Sequence, residues 1–265
     1  MWLAAVLLLS AAELAAVDCQ RELNWRPGRD NNVVFADLNA AIEANPTDAC
    51  AFNNRGRVYM FYGEIERAIA DYDAAIRINP NMAFAYKNRA DAWAMRDNLD
   101  RAIFDYGAAI RIDPKYSQAY RQRGLAYYRK RDYANAIADF TAEMNLGSGS
   151  YIARGDAYRD SGQLDRAVAD YLVVIRTGPR DPRGWRGRAS VRVLTGDDRG
   201  AIADFDRALY YDSRDAPTWS ARGAAKLRLG DREGAIADFR KALELKPDLF
   251  SAREALEGLG IPIGR

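Results

Sequence analysis

A period of 34 residues runs through most of this chain and limits what it can fold into. One phrase recurs six times: ERAIADYDAAIRINP, DRAIFDYGAAIRIDP, ANAIADFTAEMNLGS, DRAVADYLVVIRTGP, RGAIADFDRALYYDS and EGAIADFRKALELKP. Ahead of each stands a second phrase: FNNRGRVY, YKNRADAW, YRQRGLAY, YIARGDAY, WRGRASVR and WSARGAAK. The units begin near Ala49, Ala83, Ser117, Ser148, Pro182 and Ala216, and the step from Ser117 to Ser148 is shorter, at 31 residues. Such a period means a stack of supersecondary units, each too small to bury its own apolar face and each covered by its neighbours.

Inside each unit the apolar residues carry helical spacing. Positions 4, 8 and 11 share one face of a first helix, and positions 20, 24 and 27 share one face of a second. Position 4 is aromatic throughout: Phe52, Tyr86, Tyr120, Tyr151, Trp185 and Trp219. Position 8 is small, as Gly56, Ala90, Gly124, Gly155, Ala189 and Gly223, and position 20 is always alanine, from Ala68 to Ala235. Position 24 is tyrosine or phenylalanine, from Tyr72 to Phe239. Small residues let helices approach and the rings fill the space beside them. Pro80, Pro114, Pro179 and Pro247 follow the second helix and stop it.

This pattern resembles the tetratricopeptide repeat (TPR) family over residues 49–249. The resemblance implies an all-α, right-handed superhelical solenoid of antiparallel helix pairs with a concave groove. Its six full repeats are 49–82, 83–116, 117–147, 148–181, 182–215 and 216–249. A degenerate first repeat is expected over 17–48, where Val33 to Pro46 mimics a second helix, and a capping helix and tail over 250–265. Three residues depart from the pattern. Arg192 and Lys226 replace the aromatic of position 11, and Glu143 replaces the small residue of position 27 in the shortened unit. A bend is expected near Gly147-Ser148-Gly149-Ser150.

A charge ladder runs beside the apolar pattern. Position 7 is Arg55, Arg89, Arg123, Arg154, Arg188 and Arg222; position 23 is Asp71, Asp105, Asp139, Asp170, Asp204 and Asp238. One member lies on each helix, so the expectation is a repeated structural ion pair, within or between units, rather than a row of catalytic carboxylates.

In the family that the pattern resembles, the groove is lined by positions 2, 5, 9, 12 and 13 of the first helices. Here these supply eight basic residues, Arg57, Lys87, Arg121, Arg129, Arg159, Arg183, Arg186 and Arg228, against three acidic ones, Asp91, Asp156 and Asp160. That is a local charge of +5 in a chain whose whole charge is +2. Met60, Phe61, Phe84, Met95, Leu125, Tyr128 and Leu194 are the apolar candidates. Apolar anchors in a basic rim suit a protein or peptide segment carrying acidic residues. Asn88 matches one position of the family's clamp for a C-terminal carboxylate, but Asn53, Arg57, Gln118 and Gln122 break the rest, so a chaperone-tail adaptor is disfavoured. A basic groove with aromatics leaves single-stranded RNA as a rival partner.

The rest of the sequence bounds the chemistry. There is no histidine, which removes His-based acid–base catalysis, His-activated nucleophiles and most zinc sites. GLGIPIG at the C-terminus has the glycines of a phosphate loop without a preceding strand or a following helix, so it reads as a helix end and no cofactor is expected. Arginine dominates the basic residues, and with abundant alanine this suggests a GC-rich, bacterial genome. Trp2 to Ala12 is almost wholly apolar, too short to span a bilayer, and is followed by Ala15 and Ala16; residues 1–16 read as an export signal. A periplasmic location follows, with a cytoplasmic adaptor as the alternative if the segment is not a signal. The two cysteines, Cys19 and Cys50, would meet an oxidising compartment, where a Cys19–Cys50 disulfide is the expected arrangement and two unrelated thiols the alternative.

Overall fold

A computed structural model of the protein describes residues 31–147 and 149–262, with side chains from Val33 onward. The described residues form helices joined by short turns, in the order α1 (Asn31–Ala44), α2 (Ala49–Phe61), α3 (Ile65–Ile78), α4 (Ala83–Met95), α5 (Leu99–Ile112), α6 (Ser117–Arg129), α7 (Tyr133–Asn145), α8 (Tyr151–Asp160), α9 (Leu164–Thr177), α10 (Pro182–Leu194), α11 (Asp198–Tyr211), α12 (Ala216–Arg228), α13 (Arg232–Leu245) and α14 (Phe250–Gly258). They fall into two compact units that divide between Lys130 and Arg131. The fold is all-α, as the resemblance implied, and consecutive helices pack against each other within each unit. Residues 1–16, read from the sequence as an export signal, and Cys19 lie outside the described residues, as does Ser148 in the expected joint.

Each turn between a first and a second helix needs one residue in the left-handed region. Gly63, Gly162, Gly196 and Gly230 provide it at φ of 74°, 81°, 81° and 85°. The same position is Asp97 in the second repeat and Arg131 in the third, at 57° and 60°, which costs a residue with a Cβ about 1–2 kcal/mol. Four of the second helices then start on an aspartate or asparagine cap: Asn98, Asp132, Asp197 and Asp231 accept from the backbone N–H three residues on, whereas Glu64 and Gln163 at the other two make no side-chain cap bond.

The core of each unit is the pairing of small residues with rings read from the sequence. In the first unit Tyr72 and Tyr106 are 1% exposed, between the fully buried Ala68, Ala90, Ala92 and Ala102. In the second, Phe140, Tyr171, Phe205 and Phe239 are equally enclosed. Burying one such ring contributes roughly 2–3 kcal/mol. The fit is close. Tyr171 lies against Gly155 of its own repeat and Gly187 of the next, and a Cβ on Gly187 would stand 2.4 Å from its Cε1.

The shortened third repeat has its own solution. Glu143 is 1% exposed, and Ser150 Oγ donates to its carboxylate. The first helix of the fourth repeat starts at Tyr151, and α8 has 10 residues where the other first helices of repeats have 13. A buried acid with a hydroxyl donor thus stands where the other units put a small side chain.

Candidate functional site

The Arg–Asp ladder is the frame on which the first helices are held. In the first unit, Arg55 reaches Asp71 through Nε at 2.8 Å and Nη2 at 2.7 Å, and Arg89 reaches Asp105 through both atoms at 2.7 Å. In the second unit the same two-pronged contact joins Arg154 to Asp170, Arg188 to Asp204 and Arg222 to Asp238. Arg123 belongs to the first unit and Asp139 to the second. Each guanidinium also lies over the aromatic ring of position 4, from Arg222 on Trp219 at 4.5 Å to Arg154 on Tyr151 at 6.0 Å. The hydrogen bond to Asp71 raises the Arg55 pKa above its ordinary value, against the opposing effect of burial.

The third prong escaped the sequence reading. Nη1 of Arg55, Arg89, Arg154 and Arg222 reaches the preceding repeat, where the acceptors are Asn39, Asp73, Thr141 and Asp206. One arginine therefore braces its own repeat and ties it to the one before. The position-11 substitutions also join the ladder: Arg192 contacts Asp204 at 3.0 Å and Lys226 contacts Asp238 at 2.9 Å. Where position 11 is aromatic, a second arginine stacks on it, as Arg67 on Tyr59, Arg101 on Trp93 and Arg166 on Tyr158.

Within the first unit α2 touches α4 and α4 touches α6, so their inner faces form one surface. Asn88 Nδ2 donates to Asn53 Oδ1 at 2.9 Å, and Asn53 Nδ2 to Asn54 Oδ1 at 3.2 Å. Asp91 is the hub. It is 2.7 Å from Lys87 Nζ and accepts from Tyr106 Oη at 2.6 Å. Burial, with Asp91 adding to it, pushes the Tyr106 phenol far up, and burial likewise pushes Tyr116 up to about 12. Arg57 is exposed, and its charge lowers the Tyr72 and Tyr116 phenols against the rise that burial imposes. Arg129 folds back onto Asp97 at 2.6 Å and the carbonyl of Ala94 at 3.1 Å. Arg121 is exposed and Tyr128 half-buried. Phe61 and Met95 are about three-fifths exposed and Leu125 is exposed. Met60 and Phe84, read as groove anchors, are half-buried and pack into the clusters around Tyr72 and Ala85.

In the second unit every basic residue assigned to the groove is held by a carboxylate. Arg159 contacts Asp160 at 2.7 Å and Asp156 at 2.9 Å, and Asp156 also accepts from Tyr171 Oη. Arg183 folds onto Asp181, the cap of its own helix, and holds that acid below its ordinary pKa. Arg186 meets Asp215 and Arg228 meets Asp198, each at 2.6 Å. Leu194 is exposed.

These contacts revise the charge read from the groove positions. Asp97, Asp181, Asp198 and Asp215 come from turns and helix starts that those positions omit. Counting them leaves four basic against two acidic residues in the first unit, and four against five in the second. The positive face is a property of the first unit alone.

Among the described residues no group of three or more acidic, cysteine or histidine side chains is placed to hold a metal, and no helix is long and apolar enough to cross a membrane. Models of the tetratricopeptide repeat match residues 49–82, 152–218 and 216–249, and a TPR repeat model matches residues 96–130. No curated protein matches the chain. Among solved structures, a tetratricopeptide repeat protein from Parabacteroides merdae is 23% identical with a TM-score of 0.69, covering 92% of this chain and 98% of that one. PilW, a type IV pilus biogenesis factor, is 18% identical with a TM-score of 0.69, covering 78% and 98%. YrrB, a TPR protein with an unusual peptide-binding site, is 22% identical with a TM-score of 0.53, covering 70% and 97%.

Proposed function

The chain belongs to the tetratricopeptide repeat family, and from that premise we propose that it is a non-enzymatic scaffold holding a segment of another protein on the first-helix face of its first unit. The observation that carries this reading is the make-up of that face. Exposed Arg57 stands beside buried phenols, with Phe61, Met95 and Leu125 open to solvent and basic residues in excess. An apolar anchor beside a cation fits a segment with an aliphatic or aromatic residue and a carboxylate near it. The peptide-binding site described for YrrB supports the class of ligand. The lack of histidine supports a role without catalysis.

The same proposal puts the protein in the bacterial cell envelope, on the strength of the apolar Trp2–Ala12 stretch and the cysteine pair. A reporter active only after export, fused to residues 1–25, tests the location; a silent reporter returns the chain to the cytoplasm. For binding, the test is affinity purification from the envelope fraction with wild type and an Arg57→Glu, Phe61→Ser variant. The variant is expected to lose the proteins that wild type retains, and recovery of the same set from both would refute the assignment of this face.

A further inference from the structure

The ring at position 24 goes with a particular residue at position 9 of the same repeat. Tyr106 and Tyr171 donate their hydroxyls to Asp91 and Asp156, at 2.6 and 2.7 Å. Phe140, Phe205 and Phe239 have no hydroxyl, and position 9 beside them is Leu125, Ser190 and Ala224, without a carboxylate. The first repeat departs from both arrangements. Its ring is Tyr72, yet its position 9 is Arg57, a side chain with no acceptor to offer a phenol.

Tyr72 is 1% exposed, and its ring is fixed against α2, where a Cβ on Gly56 would stand 2.7 Å from Cε1. Its hydroxyl has no hydrogen-bond partner among the described residues. Every enclosed side-chain oxygen and nitrogen among those residues does have one, so the Tyr72 hydroxyl is open to solvent, at the groove position where its counterparts meet an aspartate. Arg57 is exposed there and makes no ion pair among the described residues, whereas Lys87 is spent on Asp91 and Arg129 on Asp97. Burial raises the Tyr72 and Tyr116 phenols, and the charge of Arg57 acts against that rise at both. A cation without a counter-ion and a hydroxyl without an acceptor thus meet at one place. Asp91 is near enough to act on Tyr72, but its charge is met by Lys87 and it already accepts from Tyr106.

We propose that Arg57 and the Tyr72 hydroxyl form a subsite for one side-chain carboxylate, an aspartate or glutamate inside the partner segment. The proposal rests on the first-helix face being the binding surface and adds the atoms that read the ligand. The carboxylate takes the place that Asp91 and Asp156 hold in their own repeats: it accepts from the phenol and pairs with the guanidinium, two charge-assisted contacts of the stronger kind. The carboxylate belongs to an internal residue and not to a chain end, because Phe61 lies one turn further along α2. A segment that also sets an apolar side chain on Phe61 continues past Arg57.

The test has two arms. The first needs no ligand. Tyr72→Phe keeps the ring, as Phe140, Phe205 and Phe239 do in their repeats, so the variant folds. In the wild-type chain it removes a hydroxyl that bonds nothing and is expected to leave the Tm unchanged. In an Arg57→Asp background, which rebuilds the pairing of Asp91 with Tyr106, the same change strands a carboxylate and is expected to lower the Tm by about 5 °C. Equal effects in the two backgrounds would overturn the vacancy. The second arm is fluorescence anisotropy with labelled, acetylated and amidated peptides that carry a glutamate or a glutamine between leucines. The glutamate peptide is expected to bind about tenfold tighter, and Tyr72→Phe or Arg57→Gln to shrink that ratio severalfold while the glutamine peptide binds as before. If both peptides bind equally and Phe61→Ser weakens both, the face stands and the subsite falls; if neither binds, the face falls with it. A glutamine peptide that ends in a free carboxylate and binds as tightly as the glutamate peptide would overturn the assignment to an internal side chain.

Discussion

Arg89 and Arg67 each place a guanidinium 2.7 Å from a carboxylate, yet their removal should have very different effects. The Arg67–Glu64 pair is open to water, at 67% and 43% exposure, and pairs of this kind contribute about 0–1 kcal/mol. The Arg89–Asp105 pair is enclosed, with Asp105 at 3%, and it carries two hydrogen bonds, a third to Asp73 and the Tyr86 ring beneath. Arg89→Ala leaves the Asp105 carboxylate buried without its main partner, a loss of about 3–5 kcal/mol. At about 2–4 °C per kcal/mol for a chain of this size, the Tm falls by on the order of 10 °C, against at most a few degrees for Arg67→Ala. The control is the double variant Arg89→Met, Asp105→Leu, in which no charge is stranded. It should recover at least half of the single-variant loss, measured by circular dichroism melting and urea denaturation. Equal losses for Arg89→Ala and Arg67→Ala, or a double variant as unstable as Arg89→Ala alone, would refute the reasoning that burial gives the ladder its strength.

Three further outcomes follow from local geometry. Arg131 adopts φ of 60° where four sister repeats have glycine, so Arg131→Gly should stabilise the protein by about 1 kcal/mol in urea denaturation, and a loss of stability would contradict the strain argument. Gly187→Ala forces a methyl to 2.4 Å from Tyr171 and should cost about 1–3 kcal/mol, while Tyr171→Leu in the same chain should absorb most of that cost; no rescue would put the clash elsewhere. Tyr116 ionises near pH 10.0 unfolded and about 12 folded, so folding favours the neutral phenol. Its contribution is complete below pH 10.0 and lost as pH rises toward 12, and Tyr106 and Tyr171 shift in the same direction. Stability measured against pH should therefore fall above pH 10, and Tyr116→Phe should make that fall shallower.

Much of the fold was legible because it recurs. Ala68, Tyr72, Gly56 and their counterparts meet the same neighbours in each unit, so every repeat selects the same residues, and the core follows from periodicity alone. The first two prongs of the arginine ladder share that property. The third does not, because its acceptors, Asn39, Asp73, Thr141 and Asp206, differ from repeat to repeat, and no pattern marks them. The groove was legible as a set of positions but not as a field of charge. Arg129, Arg186 and Arg228 are long side chains that bend to Asp97, Asp215 and Asp198 in turns and at helix starts about 30 residues away, which spacing on one helix does not reveal. Asp91 and Asp156 stand at groove positions in the sequence, yet they also receive the hydroxyls of Tyr106 and Tyr171 and so belong partly to the core. In the repeats whose ring is Phe205 or Phe239, the matching residue is Ser190 or Ala224, a pairing visible only once the helices are packed.

The central claim is that another protein lies along α2, α4 and α6. The direct measurement is photo-cross-linking in cells, with a photoreactive amino acid replacing Phe61 or Met95 on the first-helix face, or the exposed Arg77 near the end of α3 as a control. Discrete adducts from the first two positions and none from the third are the predicted result. Adducts from position 77 with none from 61 or 95 would contradict it.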